Sequence, residues 1–178
     1  MLPTLAVLTA GFALGDVYGS LSVDVGYAQT TSTEADAAIE SPIIGGSAEI
    51  GIKVRDGFHG TVIGWGQPFV SPSLRDSPNA EVETSLYGVG LGVRFDLEDG
   101  WFLGGVLSAL IQPQSGLSLT TDSGDVGGAI ILRGGRLWSI AEPLSLGFEA
   151  RALYGQVDAF ATRWNPASAT VSLVVALD

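Results

Sequence analysis

Glu81 to Ile111 reads EVETSLYGVGLGVRFDLEDGWFLGGVLSALI, and its middle is the most regular stretch of the chain. From Tyr87 to Phe95 the odd positions are Tyr87, Val89, Leu91, Val93 and Phe95, all large and apolar, whereas the even positions are Gly88, Gly90, Gly92 and Arg94. A period of two belongs to a β-strand with two unlike faces. Leu97-Glu98-Asp99-Gly100 supplies a polar turn, and Trp101 opens a second alternating run with Leu103, Leu107, Ala109 and Ile111 on one side. The pair reads as a long β-hairpin. Its apolar face carries Phe95 and Trp101 beside the turn; its other face is glycine with one arginine. Sheets bathed in water seldom have this pattern. A wall whose outside meets lipid and whose narrow inside holds small and charged groups does.

The rest of the chain is consistent with that wall. Its 178 residues suit one domain, and 46% are hydrophobic against 15% charged, with 25 glycines; the mean hydropathy is +0.37. No apolar run approaches the ~20 residues of a spanning helix. A membrane reading therefore passes through a closed barrel, the other structure that satisfies every backbone polar group in lipid. Met1 to Gly15 (MLPTLAVLTAGFALG) is set apart as an export signal or a segment before the first strand; the barrel is placed at 16–178. Cysteine is absent, which removes disulfides and thiolate metal sites. The net charge of −11 argues against a nucleic-acid partner, since phosphate must be met by Lys and Arg.

Alternation predicts eight strands: 17–28, 43–55, 58–67, 81–95, 101–111, 126–138, 144–155 and 167–177. In the second, Ile44, Ala48, Ile50, Ile52 and Val54 oppose Ser47, Glu49, Lys53 and Arg55. The third alternates poorly, with Thr61, Ile63 and Trp65 opposite Val62 and three glycines, and is assigned by position and β-branched content. A bulge at Gly134-Gly135 is expected in the sixth. Three connections are short (Asp56-Gly57, 97–100 and 139–143) and four longer (29–42, 68–80, 112–124 and 156–166). Alternating lengths are the rhythm of an eight-stranded antiparallel up-and-down transmembrane β-barrel, with both termini on the short-turn side. Two aromatic girdles are expected: Phe58, Phe95, Trp101 and Trp138 beside the turns, and Tyr27, Tyr87, Tyr154 and Trp164 toward the loops.

With these features, seen best in SLYGVGLGVRFDLEDGWFLGGVLS and EPLSLGFEARALYG, the chain resembles the small eight-stranded outer-membrane β-barrels of Gram-negative bacteria, of the OmpA and OmpW types. One departure is its end, Val174-Val175-Ala176-Leu177-Asp178, where such proteins usually finish on an aromatic residue. The resemblance implies a bacterial outer-membrane location with periplasmic termini, and outer-membrane lipids and lipopolysaccharide as partners. The role implied is non-enzymatic: structural, adhesive or a porin-like narrow passage. A soluble lipocalin-type barrel holding a small hydrophobic ligand is the rival, with the large apolar face turned inward.

Inward charges are expected at Asp24, Glu49, Lys53, Arg94, Arg133, Glu149 and Arg151. In a narrow lumen they must pair, as a salt-bridge plug or as an ion path. His59, the only histidine, has Asp56 as its nearest acid in sequence and no second histidine or cysteine, so neither a catalytic triad nor a metal centre is expected. The glycine pairs lack phosphate-loop spacing, and no cofactor is expected. The acids of the long connections, Glu34, Asp36, Glu40, Asp122 and Asp125, match no calcium loop. Arg75 and Arg163 are candidates for contact with lipopolysaccharide phosphates.

Overall fold

A computed structural model describes residues 17–32, 34, 36–75, 83–115, 125–159 and 162–177. Expectations for Met1–Gly15, for Asp122 and for the middles of two long connections lie outside these residues. Eight long strands form the wall: β1 (Val17–Ser32), β2 (Ala37–Arg55), β3 (Phe58–Pro68), β5 (Glu83–Asp96), β6 (Trp101–Gln112), β8 (Asp125–Ala141), β9 (Leu144–Ala159) and β10 (Thr162–Leu177). Two short strands, β4 (Ser73–Leu74) and β7 (Gln114–Ser115), pair with the loop-side ends of β2 and β5. Each long strand pairs antiparallel with its neighbour in sequence, and β1 pairs with both β2 and β10, which closes the ring. The chain thus folds as an eight-stranded antiparallel up-and-down β-barrel. Val17 and Leu177 lie at the end that carries the short turns, because Val17 pairs with Ile52 and Gly19 with Leu177.

Side-chain alternation gives the wall its two faces. Leu91 and Leu107 are each 69% exposed, and Leu21, Val23, Ile50, Leu132, Val171 and Leu173 are likewise on the outside. A soluble barrel would hide such a surface; a lipid-facing wall requires it. The lipocalin-type arrangement, with its large apolar face inward, is not the one seen.

The inner face of β5 is glycine for a packing reason. A Cβ on Gly88 would lie 2.5 Å from Trp65 Cζ2, and one on Gly90 2.5 Å from Val106 Cγ1. The space these glycines leave is occupied by large side chains from the adjoining strands β3 and β6. The poorly alternating β3 is therefore inverted in bulk, with Thr61, Ile63, Trp65 and Gln67 inside and its glycines outside. The lumen is accordingly more apolar than the small and charged interior expected: Ile39, Ile43, Ile63, Trp65, Leu86, Val106, Leu110, Leu153 and Val157 are among the residues packed in its loop-side half.

Other expectations are corrected by strand length and register. The connection expected at 29–42 is mostly a continuation of β1 and β2, paired as far as Ser32 with Ala37. The one at 156–166 shrinks likewise, since Thr162 pairs with Ala159. Beyond the lipid the alternation turns polar, which from sequence looks like loop; the ladder nevertheless continues. No bulge interrupts Gly134-Gly135, which pair in register on both sides. A Cβ at Gly135 would stand only 2.1 Å from the Phe148 carbonyl oxygen, so close strand approach accounts for that glycine. Register instead shifts between Lys53 and Arg55 and between Ser139 and Ala141, beside the short turns. The first shift turns Arg55 outward, opposite Phe58, with its guanidinium 5.5 Å from that ring.

Candidate functional site in the barrel lumen

The middle of the lumen holds a cluster of buried ions that several strands supply. Glu49 comes from β2 and Arg133 from β8, which are four strands apart in either direction around the ring. Both side chains are almost fully buried, and the contact is bidentate: Arg133 Nη1 donates to Glu49 Oε2 at 2.5 Å while Nη2 donates to Oε1. The pair is a strut between opposite walls. Tyr18 donates its hydroxyl proton to Glu49 Oε1 at 2.7 Å, so the carboxylate is satisfied from two sides.

Arg133 and Arg151 face each other directly across β8 and β9. Two guanidiniums so placed repel unless an acid stands between them. Glu149 does so, bonding Arg151 Nε and lying 3.9 Å from Arg133 Nη1. Arg151 reaches on to Asp24 at 3.3 Å, and Ser22 donates to Asp24 at 2.7 Å. A continuous network therefore runs from Glu49 through Arg133, Glu149 and Arg151 to Asp24. Buried charges are tolerable only when paired in this way.

Toward the turns the chemistry changes. Arg94 lies between the rings of Tyr18 and Phe102, at 4.8 and 4.6 Å, and bonds Asp96 at 2.7 Å. His59 Nε2 meets the other oxygen of Asp96 at 2.8 Å. A cleft of 470 Å³ opens there, lined in part by Arg94, Asp96, Ser139 and Ser145. Toward the loops the lumen holds the apolar cluster around Trp65, Leu110 and Trp164, with Gln112 bonded to Thr30 and Thr84 at 3.1 and 3.3 Å.

Of the inward charges expected, Glu49, Arg133, Glu149, Arg151 and Asp24 are brought together, and Arg94 sits one level nearer the turns. Lys53 is corrected: it lies at the barrel end, 2.8 Å from Asp56, because the strand runs out of lumen there. Trp164 is corrected as well. It is 5% exposed and belongs to the lumen core, since alternation carried back from Val174 through Ser168 puts it inside. The other girdle residues, Tyr27, Phe58, Tyr87, Phe95, Trp101, Trp138 and Tyr154, lie on the outer wall, joined by Phe148 against Trp101 and Trp138.

Sequence reasoning missed Tyr18 as a partner of Glu49 and Asp96 as the partner of His59. Strand pairing decides the second: His59 faces Arg94 across β3 and β5, two residues from Asp96. Among the described residues no group of three or more His, Cys, Asp or Glu is placed to hold a metal. On the loop side Glu40 gathers Tyr27, Gln29 and Arg75, and Arg163 pairs with Asp158 at 3.2 Å.

The fold and lumen define a class, the small closed barrel with an apolar outer wall and a filled, partly ionic interior. No protein-family model matches the chain, and no curated protein matches it in sequence. Among solved structures it is similar to Neisserial surface protein A, with a TM-score of 0.60 and 15% identity, over 89% of this chain and 96% of that one. The attachment invasion locus protein of Yersinia pestis, Ail, matches at a TM-score of 0.45 and 12% identity, over 88% and 98%. The likeness to the Neisserial protein is one of fold.

Proposed function

We propose that this protein is a non-enzymatic outer-membrane barrel that acts as a structural or adhesive surface component, its lumen serving as a plug. The observation that carries this reading is the Glu49–Arg133 strut across the lumen, backed on the loop side by the apolar cluster. An eight-stranded barrel is about filled by its own side chains. Here the filling combines paired ions with close-packed rings. A steady ion path would require both layers to part.

The non-enzymatic reading draws support from His59, which is engaged by Asp96 at 2.8 Å and lies edge-on to Tyr18 at 5.1 Å. The outer-membrane location, with turns and termini periplasmic and the loop-side hairpins outside, draws support from the barrel fold shared with the Neisserial surface protein and from the apolar wall. Lipid and lipopolysaccharide are the partners this location supplies. Planar-bilayer recording tests the plug. The purified protein is expected to insert without a large steady current; a persistent ion-selective conductance would overturn the plug in favour of a narrow passage.

A further inference from the structure

The chain has only eight lysines and arginines against nineteen acids, so every cation has carboxylates to choose from. Six take one: Lys53, Arg75, Arg94, Arg133, Arg151 and Arg163. Arg55 and Arg136 do not pair with any acid among the described residues. Both belong to the outer wall at its turn-side rim, where Arg136 occupies the same face of β8 as Leu132 and Trp138.

Arg136 is the more elaborately held. Its guanidinium lies 5.6 Å from the Trp101 ring centre and 5.4 Å from that of Trp138, and its Nε donates to the Asp99 carbonyl oxygen at 3.0 Å. Those contacts fix the plane of the group and leave both Nη nitrogens without a hydrogen-bond partner among the described residues. A planar fork with two free donors matches two oxygens of a phosphate. A cation held on the outer wall at the level of an aromatic girdle is also placed to attract an anionic headgroup. Arg55, with its guanidinium over Phe58, repeats the motif further round the rim.

We propose that Arg136, braced by Trp101 and Trp138, binds the phosphate of a net-anionic glycerophospholipid in the leaflet at the turn side, with Arg55 a second contact on that rim. The inference rests on the membrane reading above and adds to it the lipid class and the leaflet. It assigns the two unbalanced cations of an acidic protein a common role.

The test uses the full chain, refolded in detergent and scored for folding by the mobility difference between boiled and unboiled samples. Equal amounts of phosphatidylglycerol and phosphatidylcholine are added, and retained lipid is counted by native mass spectrometry. The wild type is expected to prefer phosphatidylglycerol. Arg136→Gln should reduce that preference about fivefold, the worth of one interfacial arginine, and Arg55→Gln with Arg136→Gln should abolish it. Arg163→Gln, on the loop side, should leave it unchanged. If Arg136→Gln does not refold, Arg136→Lys keeps the charge without the fork and should weaken the preference by a smaller factor. Equal retention of the two lipids by the wild type, or an unchanged preference in the folded Arg136 variant, overturns the proposal. A chain that stays monodisperse in buffer and takes up neither lipid contradicts the membrane reading as well; one that inserts but holds both lipids equally contradicts this inference alone.

Discussion

Glu49 and Arg133 meet from opposite sides of the barrel, each drawing its ionic partner from the wall that faces it. Removing one member leaves the other charged and dry. Glu49→Ala is expected to cost about 3–5 kcal/mol, as breaking a buried pair does, whereas Glu49→Leu combined with Arg133→Met should recover most of that loss. Denaturant unfolding from micelles measures both. A double variant as unstable as the single one would mean that the cost comes from losing the strut itself and not from stranding Arg133.

The two faces of β5 respond to different insults. Leu91→Arg puts a charge on the lipid wall and should cost roughly 2–4 kcal/mol if Leu91 is near the bilayer midplane. Gly90→Ala brings a methyl against Val106 and the Leu107 carbonyl oxygen, and should cost about 1–3 kcal/mol by overpacking. Gly64→Ala is the control, since a Cβ there meets nothing within 4 Å. Equal effects from the two alanine variants, read in the same unfolding assay, would contradict the inward placement of the β5 glycines.

How far the sequence carried the fold depended on whether the two faces of a strand differed. From Tyr87 to Phe95 in β5 and from Leu144 to Arg151 in β9 they differ at every step, and strand type and facing were legible from the residues there. In β3 large and small residues change sides, so strand existence could be read but its facing could not. Trp164 shows another limit. An aromatic near a strand end suits either a girdle or a core, and what decides is that β10 continues unbroken back to Thr162, which carries the inward alternation to Trp164. Arg55 shows a third, because a one-residue shift beside a turn reverses a face without leaving a mark in composition. The ionic cluster was legible as a list of inward charges. Its pairing was not, since Glu49 and Arg133 are distant in sequence and lie on non-adjacent strands.

Acidification is expected to loosen the loop-side hairpin. The Tyr27 hydroxyl, and then the Arg75 guanidinium, hold the Glu40 carboxyl below the usual carboxylate range. A depressed folded-state pKa contributes stability above the unfolded value, and that stability is lost as pH falls through the folded one. The Arg75 amide, which donates to the Ala38 carbonyl at 3.0 Å, reports on the same corner. Its hydrogen-exchange protection factor should drop on acidification in the wild type and be low already at neutral pH in Glu40→Gln. Protection unaffected by either change would remove Glu40 as the clasp.

Topology is open to cysteine labelling, because the chain contains no cysteine of its own. Glu34→Cys lies at the loop-side tip of the β1–β2 hairpin, and Asp56→Cys in the turn between β2 and β3. A membrane-impermeant maleimide applied to intact cells should modify the first and spare the second. The reverse result would invert the proposed orientation.

The division of the barrel into a lipid-facing wall and a filled lumen is tested most directly by its four tryptophans. Trp101 and Trp138 are on the outer wall, each 44% exposed, while Trp65 and Trp164 are buried in the lumen core. Four variants that each keep one tryptophan, reconstituted in vesicles of brominated phospholipid, report contact with acyl chains through fluorescence quenching. Strong quenching of Trp101 and Trp138, with Trp65 and Trp164 spared, is the predicted result. Strong quenching of Trp65 or Trp164, or protection of Trp101 and Trp138, would contradict it.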